Sequence, residues 1–545
     1  MVAESAPFDP TREVRYDLEF ANIPDVLRRR AHDMPDKVAV IDEGSEYTYG
    51  QVWDLVRRAA GGFRDLGLEK GDRFAVMLEN RLEWIVGVLG GLVNGGILVP
   101  ISTRFVGAEV RLLLELSGAR VMLTSCDGAR DYHRLICDDL GTAPVERVVV
   151  VGASSSGEIT SWDDLLANPL GAAELDALVD GITGDDISDI MFTSGTTGTP
   201  KGVVARHGQS VRAHGQLITS AGYRGDDRVV VIPPFFHTWG YKSGWLGCML
   251  LGSTSIPVRR HDAVSTMALI ERFGATALPG PPTVFHDILD SPERGDYDLT
   301  SLRLAFPAAT TVPASLVLRI RNELGIALVT TAYGLTETMA TVTANNPTDT
   351  VERITETVGR PIPGCEVRIV DVATNAVVGP GETGEIEVRG FNVTSGYWDN
   401  PAATQELFDG QWARSGDIGT MDADGYVRVT DRKKDMFIMG GFNAYPAEIE
   451  HVLSEYPGLQ RVSVIGVPDE RSGEVGAAFV VPRPGAVIDE AAVIAWSRER
   501  MANFKVPRYV HVVDDLVYNA SGKVLKGALR EQHRRIVEPS PGVLS

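Results

Sequence analysis

Three observations predict an α/β protein with more than one domain. Short apolar runs alternate with amphipathic stretches over the first part of the chain, and a β-rich stretch follows them. The third is length: 545 residues are too many for one core.

Residues 23–33 read as a short helix and 38–47 as a hairpin. From Tyr49, apolar Val52, Leu55, Val56, Ala59 and Phe63 recur at helical spacing, and Gly67 ends the run. Strand 73–78, helix 84–94 and strand 97–101 come next, with Gly90 and Gly91 permitting close packing. Such alternation builds a mostly parallel sheet covered by helices. It continues through 109–116, 121–124, 132–139 and 148–151. A second alternating block runs from 204 to about 343, with strands at 228–232, 303–306 and 327–331. From 357 to about 429 the pattern turns β-rich, with strands at 366–371, 384–389 and 426–430. Beyond it lie helices at 446–456 and 491–501 and strands at 462–467, 476–482 and 509–513. Residues past about 534 read as a frayed tail.

The net charge of −21 argues against a nucleic-acid or anionic-membrane surface, either of which wants a basic patch. Cys126, Cys137, Cys248 and Cys365 show no metal spacing, which favours reduced thiols over a disulfide framework. No signal pattern opens the chain, and the longest apolar stretch, 84–93, is about half the ~20 residues of a membrane span. A cytoplasmic enzyme is expected, with no nucleic acid partner and no integral membrane segment.

The apolar run 187–192 ends at Phe192-Thr193-Ser194-Gly195-Thr196-Thr197-Gly198-Thr199-Pro200-Lys201-Gly202. Five hydroxyl side chains and three glycines surround one lysine. Glycines admit close backbone approach, successive N–H groups make an anion-binding concavity, and Lys201 adds a point charge. This is phosphate chemistry at the carboxyl end of a strand. It is not a Walker loop, which needs Gly-Lys-[Ser/Thr] after a fixed gap. Alone, so polar a stretch is also what a surface turn looks like.

Ser194 to Gly202 resembles the signature loop of the adenylate-forming enzymes: acyl-CoA synthetases, luciferases and peptide-synthetase adenylation domains. The other family motifs follow in order, and the resemblance spans about residues 20–530. It implies a large N-terminal domain over 1–433, of two stacked α/β subdomains and a small β-barrel-like subdomain. A small mobile α+β domain over 434–545 follows. Thr193, Ser194, Gly195, Thr196, Thr197, Gly198 and Lys201 are the implied phosphate contacts. Pro307-Ala308-Ala309-Thr310 corresponds to the segment lying against adenine and the acyl group. In Ala332-Tyr333-Gly334-Leu335-Thr336-Glu337-Thr338, Tyr333 stacks on adenine, Thr336 donates to the α-phosphate and Glu337 holds Mg²⁺. Without that company, Thr336 and Glu337 suit a helix start equally well.

Arg414-Ser415-Gly416-Asp417 resembles the motif whose carboxylate takes both ribose hydroxyls. Asp431-Arg432-Lys433-Lys434-Asp435 is a charge run of the kind a solvated face carries; the resemblance implies Arg432 at the ribose and Lys434 at the hinge. Gly440, Gly441 and Phe442 correspond to the pantetheine tunnel. Lys523, in Ser521-Gly522-Lys523, corresponds to the family's adenylation lysine. His237, from Phe236-His237-Thr238-Trp239, borders the carboxylate substrate. The implied acyl pocket comprises His237, Trp239, Gly280, Ala308, Ala332 and Met339.

The function implied is an AMP-forming acyl-CoA synthetase using ATP, Mg²⁺ and coenzyme A. The segments 236–244 and 278–283 look most like actinobacterial fatty-acid or steroid-degradation ligases, including those acting on ring-bearing propanoates. Two other readings stay open: an acyl-AMP ligase loading a carrier protein's pantetheine, and an inactive nucleotide-binding module.

Overall fold

Val38–Asp42 (β1) and Ser45–Thr48 (β2) pair antiparallel, as the sequence predicts. In the computed structural model, the described residues are 12–128, 131–134, 145–155, 157, 159–193, 200–308, 312–432, 435–439, 442–469, 473–501, 503–518 and 524–537. The hairpin is followed by helix Tyr49–Asp65, whose start is fixed by a capping box. The Thr48 hydroxyl accepts from the Gln51 amide at 3.2 Å, and Gln51 Oε1 accepts from the Thr48 amide at 2.8 Å.

The first alternating block forms a seven-stranded sheet. Its strands are Arg73–Val76 (β3), Ile97–Pro100 (β4), Ala119–Ser125 (β5), Arg147–Val151 (β6), Ile159–Ser161 (β7), Ile187–Thr193 (β8) and Lys201–Arg206 (β9). The order is β7-β6-β5-β3-β4-β8-β9, all parallel except the antiparallel pair β8–β9. β8 thus ends at Thr193 and its antiparallel partner β9 begins at Lys201. The second block supplies Arg228–Val231 (β10), Thr254–Pro257 (β11), Ala277–Gly280 (β12), Leu304–Pro307 (β13) and Leu328–Val329 (β14). These join a second seven-stranded sheet in the order β14-β13-β12-β10-β11-β1-β2. The N-terminal hairpin therefore crosses into the later sheet, through β1 lying parallel to β11.

The core lies between these sheets. Helix Tyr49–Asp65 gives Val52, Val56, Ala59 and Phe63; helix Leu82–Val93 gives Ile85, Val88, Leu89 and Leu92. They bury against Val76 and Leu123 of the first sheet and Val229 and Val231 of the second. Gly90 does what its sequence position foretells: a Cβ there would lie 2.7 Å from the Ala59 Cβ, so the helices approach only without it. Trp84 packs edge-on to Phe235, Tyr241 and Trp245 at 5.4, 5.4 and 5.8 Å.

By packing, the chain divides into two compact units. One comprises Met1–Val367, Val388–Ala413 and Asp424–Val427; the other comprises Arg368–Glu387, Arg414–Ala423 and Arg428–Ser545. The β-rich stretch forms a five-stranded sheet of Cys365–Val370, Gly384–Gly390, Phe408–Asp409, Trp412–Met421 and Val427–Arg432. In the second unit, Gly473–Pro482 is antiparallel to Leu459–Asp469 and parallel to Tyr509–Val512. Ile449, Leu453 and Val493, from helices Pro446–Leu453 and Glu490–Arg498, share its core with Val464, Ala478 and Val480. Helix Lys526–Val537 continues past residue 534, where the sequence predicts fraying, with Leu529 and His533 buried along it. Stretch 132–139 falls partly outside the described residues. Among the described residues, no helix is long and apolar enough to cross a membrane. Cys126, Cys248 and Cys365 are free thiols.

Candidate active site

β8 runs from the buried sheet to Thr193, and β9 returns from Lys201, the two residues facing each other in register. The Thr193 hydroxyl donates to the Lys201 carbonyl at 3.4 Å. Ser194, Gly195, Thr196, Thr197 and Gly198 lie outside the described residues. The Lys201 ammonium sits 5.2 Å from the ring centroid of Tyr397, a cation–π contact. The Tyr397 hydroxyl donates to Glu337 Oε1 at 2.9 Å. Burial first, then the Glu337 carboxylate, push the Tyr397 phenol far above its ordinary range. Lysine, tyrosine and carboxylate thus stand in a row.

Backbone contacts fix that row. The Thr394 amide donates to the Glu337 carbonyl at 2.8 Å, and the Trp398 amide to the Gly202 carbonyl at 2.7 Å. The segment 394–398 therefore ties β9 to the turn that carries Glu337. Sequence reasoning misses Tyr397, because nothing local marks its partners.

Ala332–Tyr333 is a two-residue strand paired with Thr343–Ala344. Thr336–Thr338 is a single 3-10 turn, so the helix-start reading of Thr336 and Glu337 gives way to a tight turn. Met339 and Ala340 both take φ of 53°, a left-handed backbone that non-glycine residues adopt at a cost. The chain folds back so closely that a Cβ on Gly334 would lie 2.1 Å from the Ala340 carbonyl carbon.

Of the predicted acyl-pocket residues, Trp239, Ala308 and Ala332 share one apolar cluster with Phe306 and Tyr223. Trp239 meets the Phe306 ring edge-on at 6.0 Å. Gly280 lies beside them, opposite Pro307 in register, its carbonyl accepting from the Ala308 amide at 3.3 Å. Met339 belongs instead to a cluster with Val203, Ala205 and Ala213. His237 is exposed, and its Nδ1 accepts from the Trp239 amide at 3.3 Å. Trp239–Leu246 is a π-helix, a form often found at functional sites. Ala309 and Thr310 lie outside the described residues.

In the second unit, Asp417 is 3% exposed, and its amide donates to the Ser415 hydroxyl at 3.0 Å. Glu385 accepts from the Gly416 amide at 3.2 Å, and Glu387 pairs with Arg368 and Arg414. Two carboxylates of strand Gly384–Gly390 thus hold the 414–417 part of strand Trp412–Met421. Arg432 ends strand Val427–Arg432, and Phe442 opens strand Phe442–Ala444; their side chains, with Lys434, Gly440, Gly441 and Lys523, lie outside the described residues.

Among the described residues, no three His, Cys, Asp or Glu side chains gather as a metal cage. The single Glu337 carboxylate suits a Mg²⁺ that arrives with phosphate oxygens as its other ligands.

Two seven-stranded sheets, a strand pair that meets at Thr193 and Lys201, and a second compact α+β unit agree with the class that the motifs imply, the adenylate-forming enzymes. The chain belongs to the AMP-binding enzyme family, whose model matches residues 27–398, with the family's C-terminal domain matching 448–523. It is 42% identical over 519 residues to a methyl-dioxo-octahydro-indenyl propanoyl:CoA ligase of Rhodococcus jostii, covering 94% of this chain and 98% of the relative. The ligase of the same name from Mycobacterium tuberculosis is 42% identical over 522 residues, covering 94% and 99%. A feruloyl-CoA synthase of an Amycolatopsis species is 36% identical, covering 92% and 97%. A crystal structure of an anthranilate CoA ligase with anthranoyl-AMP superposes with a TM-score of 0.83 at 27% identity, covering 94% and 97%. These relatives make the chain an AMP-forming acyl-CoA synthetase.

Proposed function

We propose that this acyl-CoA synthetase takes a ring-bearing propanoic acid of the kind met in steroid degradation, with MgATP and CoA as co-substrates. The observation that carries the choice of acid is the 42% identity, over nearly the whole chain, to two ligases named for a bicyclic propanoate. The apolar cluster of Trp239, Phe306, Ala308 and Ala332 supports it, as a surface on which a bulky hydrocarbon ring can be buried.

The acid's carboxylate oxygen bonds to the α-phosphorus of ATP while the bond to pyrophosphate breaks, giving acyl-AMP. The protein supplies positioning and charge, and no nucleophile of its own. Tyr333 holds adenine, and Asp417 and Arg432 hold the ribose. Thr336 donates to the α-phosphate, and Lys201 with residues 193–198 takes the β- and γ-phosphates. Mg²⁺ held by Glu337 neutralises phosphate charge when bound. The role we give Lys523 is to screen the repulsion between carboxylate and phosphate. His237 borders the reacting carboxylate. The segment from 434 onward then turns about Lys434, withdrawing Lys523 and bringing up Gly440, Gly441 and Phe442 along the pantetheine. The thiolate sulfur bonds to the acyl carbon, and AMP leaves with its oxygen.

The test is acid-dependent pyrophosphate release across a panel: a bicyclic propanoate, ferulate, anthranilate and linear medium-chain acids. The bicyclic acid should lead in kcat/KM by about tenfold or more, the scale set by pocket fit. A linear acid in first place would refute the choice.

A further inference from the structure

Asp189 stands in the middle of β8, fully buried. A carboxylate there needs a partner. The Lys242 ammonium, from the π-helix that begins at Trp239, lies 2.9 Å from Asp189 Oδ1, with the two side chains 1% and 0% exposed. The same ammonium donates to the Met339 sulfur at 3.7 Å and lies 5.5 Å from the Tyr241 centroid. One buried cation thus touches the strand that ends at Thr193, the π-helix, and the left-handed residue behind Glu337. His214, from helix His207–Ser220, faces it; burial, reinforced by Lys242, drives that imidazole well below its ordinary range. The buried Nε2 of His214, Oη of Tyr241 and Oγ of Ser210 find no hydrogen-bond partner among the described residues.

A buried ion pair is a poor device for stability, since apolar residues of like volume often serve as well. This pair does, however, tie the π-helix to β8. Trp239 lies three residues before Lys242 on the same π-helix and meets Phe306, while Met339, with its left-handed backbone, accepts from the Lys242 head.

We propose that Lys242, held by Asp189, is a positioning residue that sets acid selectivity by fixing the π-helix that carries Trp239; this rests on the reading of Trp239 as an acyl-pocket wall. The ion pair itself touches neither ATP nor acid. Neutralising both partners should leave the fold intact while loosening the pocket, with little effect on ATP.

The experiment is ATP–pyrophosphate exchange by the double variant Asp189→Leu/Lys242→Met, across an acid panel, with thermal melting alongside. The ratio of kcat/KM between the wild type's best acid and a smaller linear acid should fall by about tenfold, with the KM for ATP unchanged within about twofold. An unchanged ratio, or an equal loss on every acid, would overturn the role. If the double variant does not fold, the closer isosteric pair Asp189→Asn/Lys242→Gln decides. It keeps volume and polar contact but removes both charges, and it should lower the same ratio. An unchanged ratio there overturns the proposal. The ratio is read from whichever acids the wild type accepts, so a wild type that ignores bicyclic propanoates refutes the substrate and leaves this test standing.

Discussion

Tyr397 donates its phenolic hydrogen to Glu337 at 2.9 Å while the Lys201 ammonium lies over the same ring at 5.2 Å. One aromatic side chain thus joins the lysine of the phosphate stretch to the carboxylate proposed to hold Mg²⁺. Tyr397→Phe keeps the ring for Lys201 and deletes only the hydroxyl. A hydrogen bond to a charged group contributes about 1.5–3 kcal/mol, so adenylation should slow by roughly tenfold or more. Pyrophosphate exchange against Mg²⁺ concentration measures it, and the curve should move to higher Mg²⁺. A superimposable curve would mean the contact plays no part in catalysis.

Gly334→Ala should distort the turn before Glu337. The added Cβ would meet backbone atoms of Ala340 and Thr341 at 2.1 and 2.2 Å, and backbone cannot swing aside as a side-chain tip can. Overpacking of this kind costs about 1–3 kcal/mol. The melting temperature should drop by several degrees and adenylation should fall with it. A variant as stable as the wild type would show that the turn tolerates another path.

Most of the fold was legible in the sequence because its strands are short apolar runs buried on both faces, as in 73–78 and 228–232. Placing the hairpin 38–47 in the later sheet was not legible, because pairing between β1 and β11 depends on residues more than two hundred positions apart. Glu337, Asp417 and Lys201 were legible as members of ordered motifs. Tyr397 was not, since its partner lies 60 residues away with no local pattern between them. Lys242 sits in a Gly-Tyr-Lys-Ser-Gly stretch with no local mark of its partner; only the fold brings it to Asp189, 53 positions earlier.

Acid should destabilise the protein through its buried imidazoles. Burial pushes His207 down to about 3 from the ordinary 6.5, so the unfolded chain takes a proton first. The contribution is fully present above pH about 6.5 and is lost as pH falls toward about 3, at roughly 1.4 kcal/mol per pH unit. His214 acts in the same direction. Urea unfolding of wild type and His207→Asn, between pH 7 and 5, reads the difference. The variant should lose less stability per pH unit, by about one proton's worth. Parallel slopes would show that His207 is protonated alike in both states.

Lys523→Ala should slow adenylation by about 10²–10³-fold, the scale of losing one electrostatic donor. Thioester formation from supplied acyl-AMP should continue, because CoA attack makes no use of that lysine. Equal losses in both half-reactions would remove it from its assigned place.

The most direct measurement follows the order of products in a single turnover. Enzyme, MgATP and the preferred acid are mixed without CoA, and hydroxylamine is added to trap any activated acyl group. About one pyrophosphate and one acyl-hydroxamate per active site are expected. CoA added in place of hydroxylamine should then release AMP and acyl-CoA in equal amounts. Pyrophosphate that appears only after CoA is present, or ADP and phosphate in place of AMP and pyrophosphate, would contradict the account.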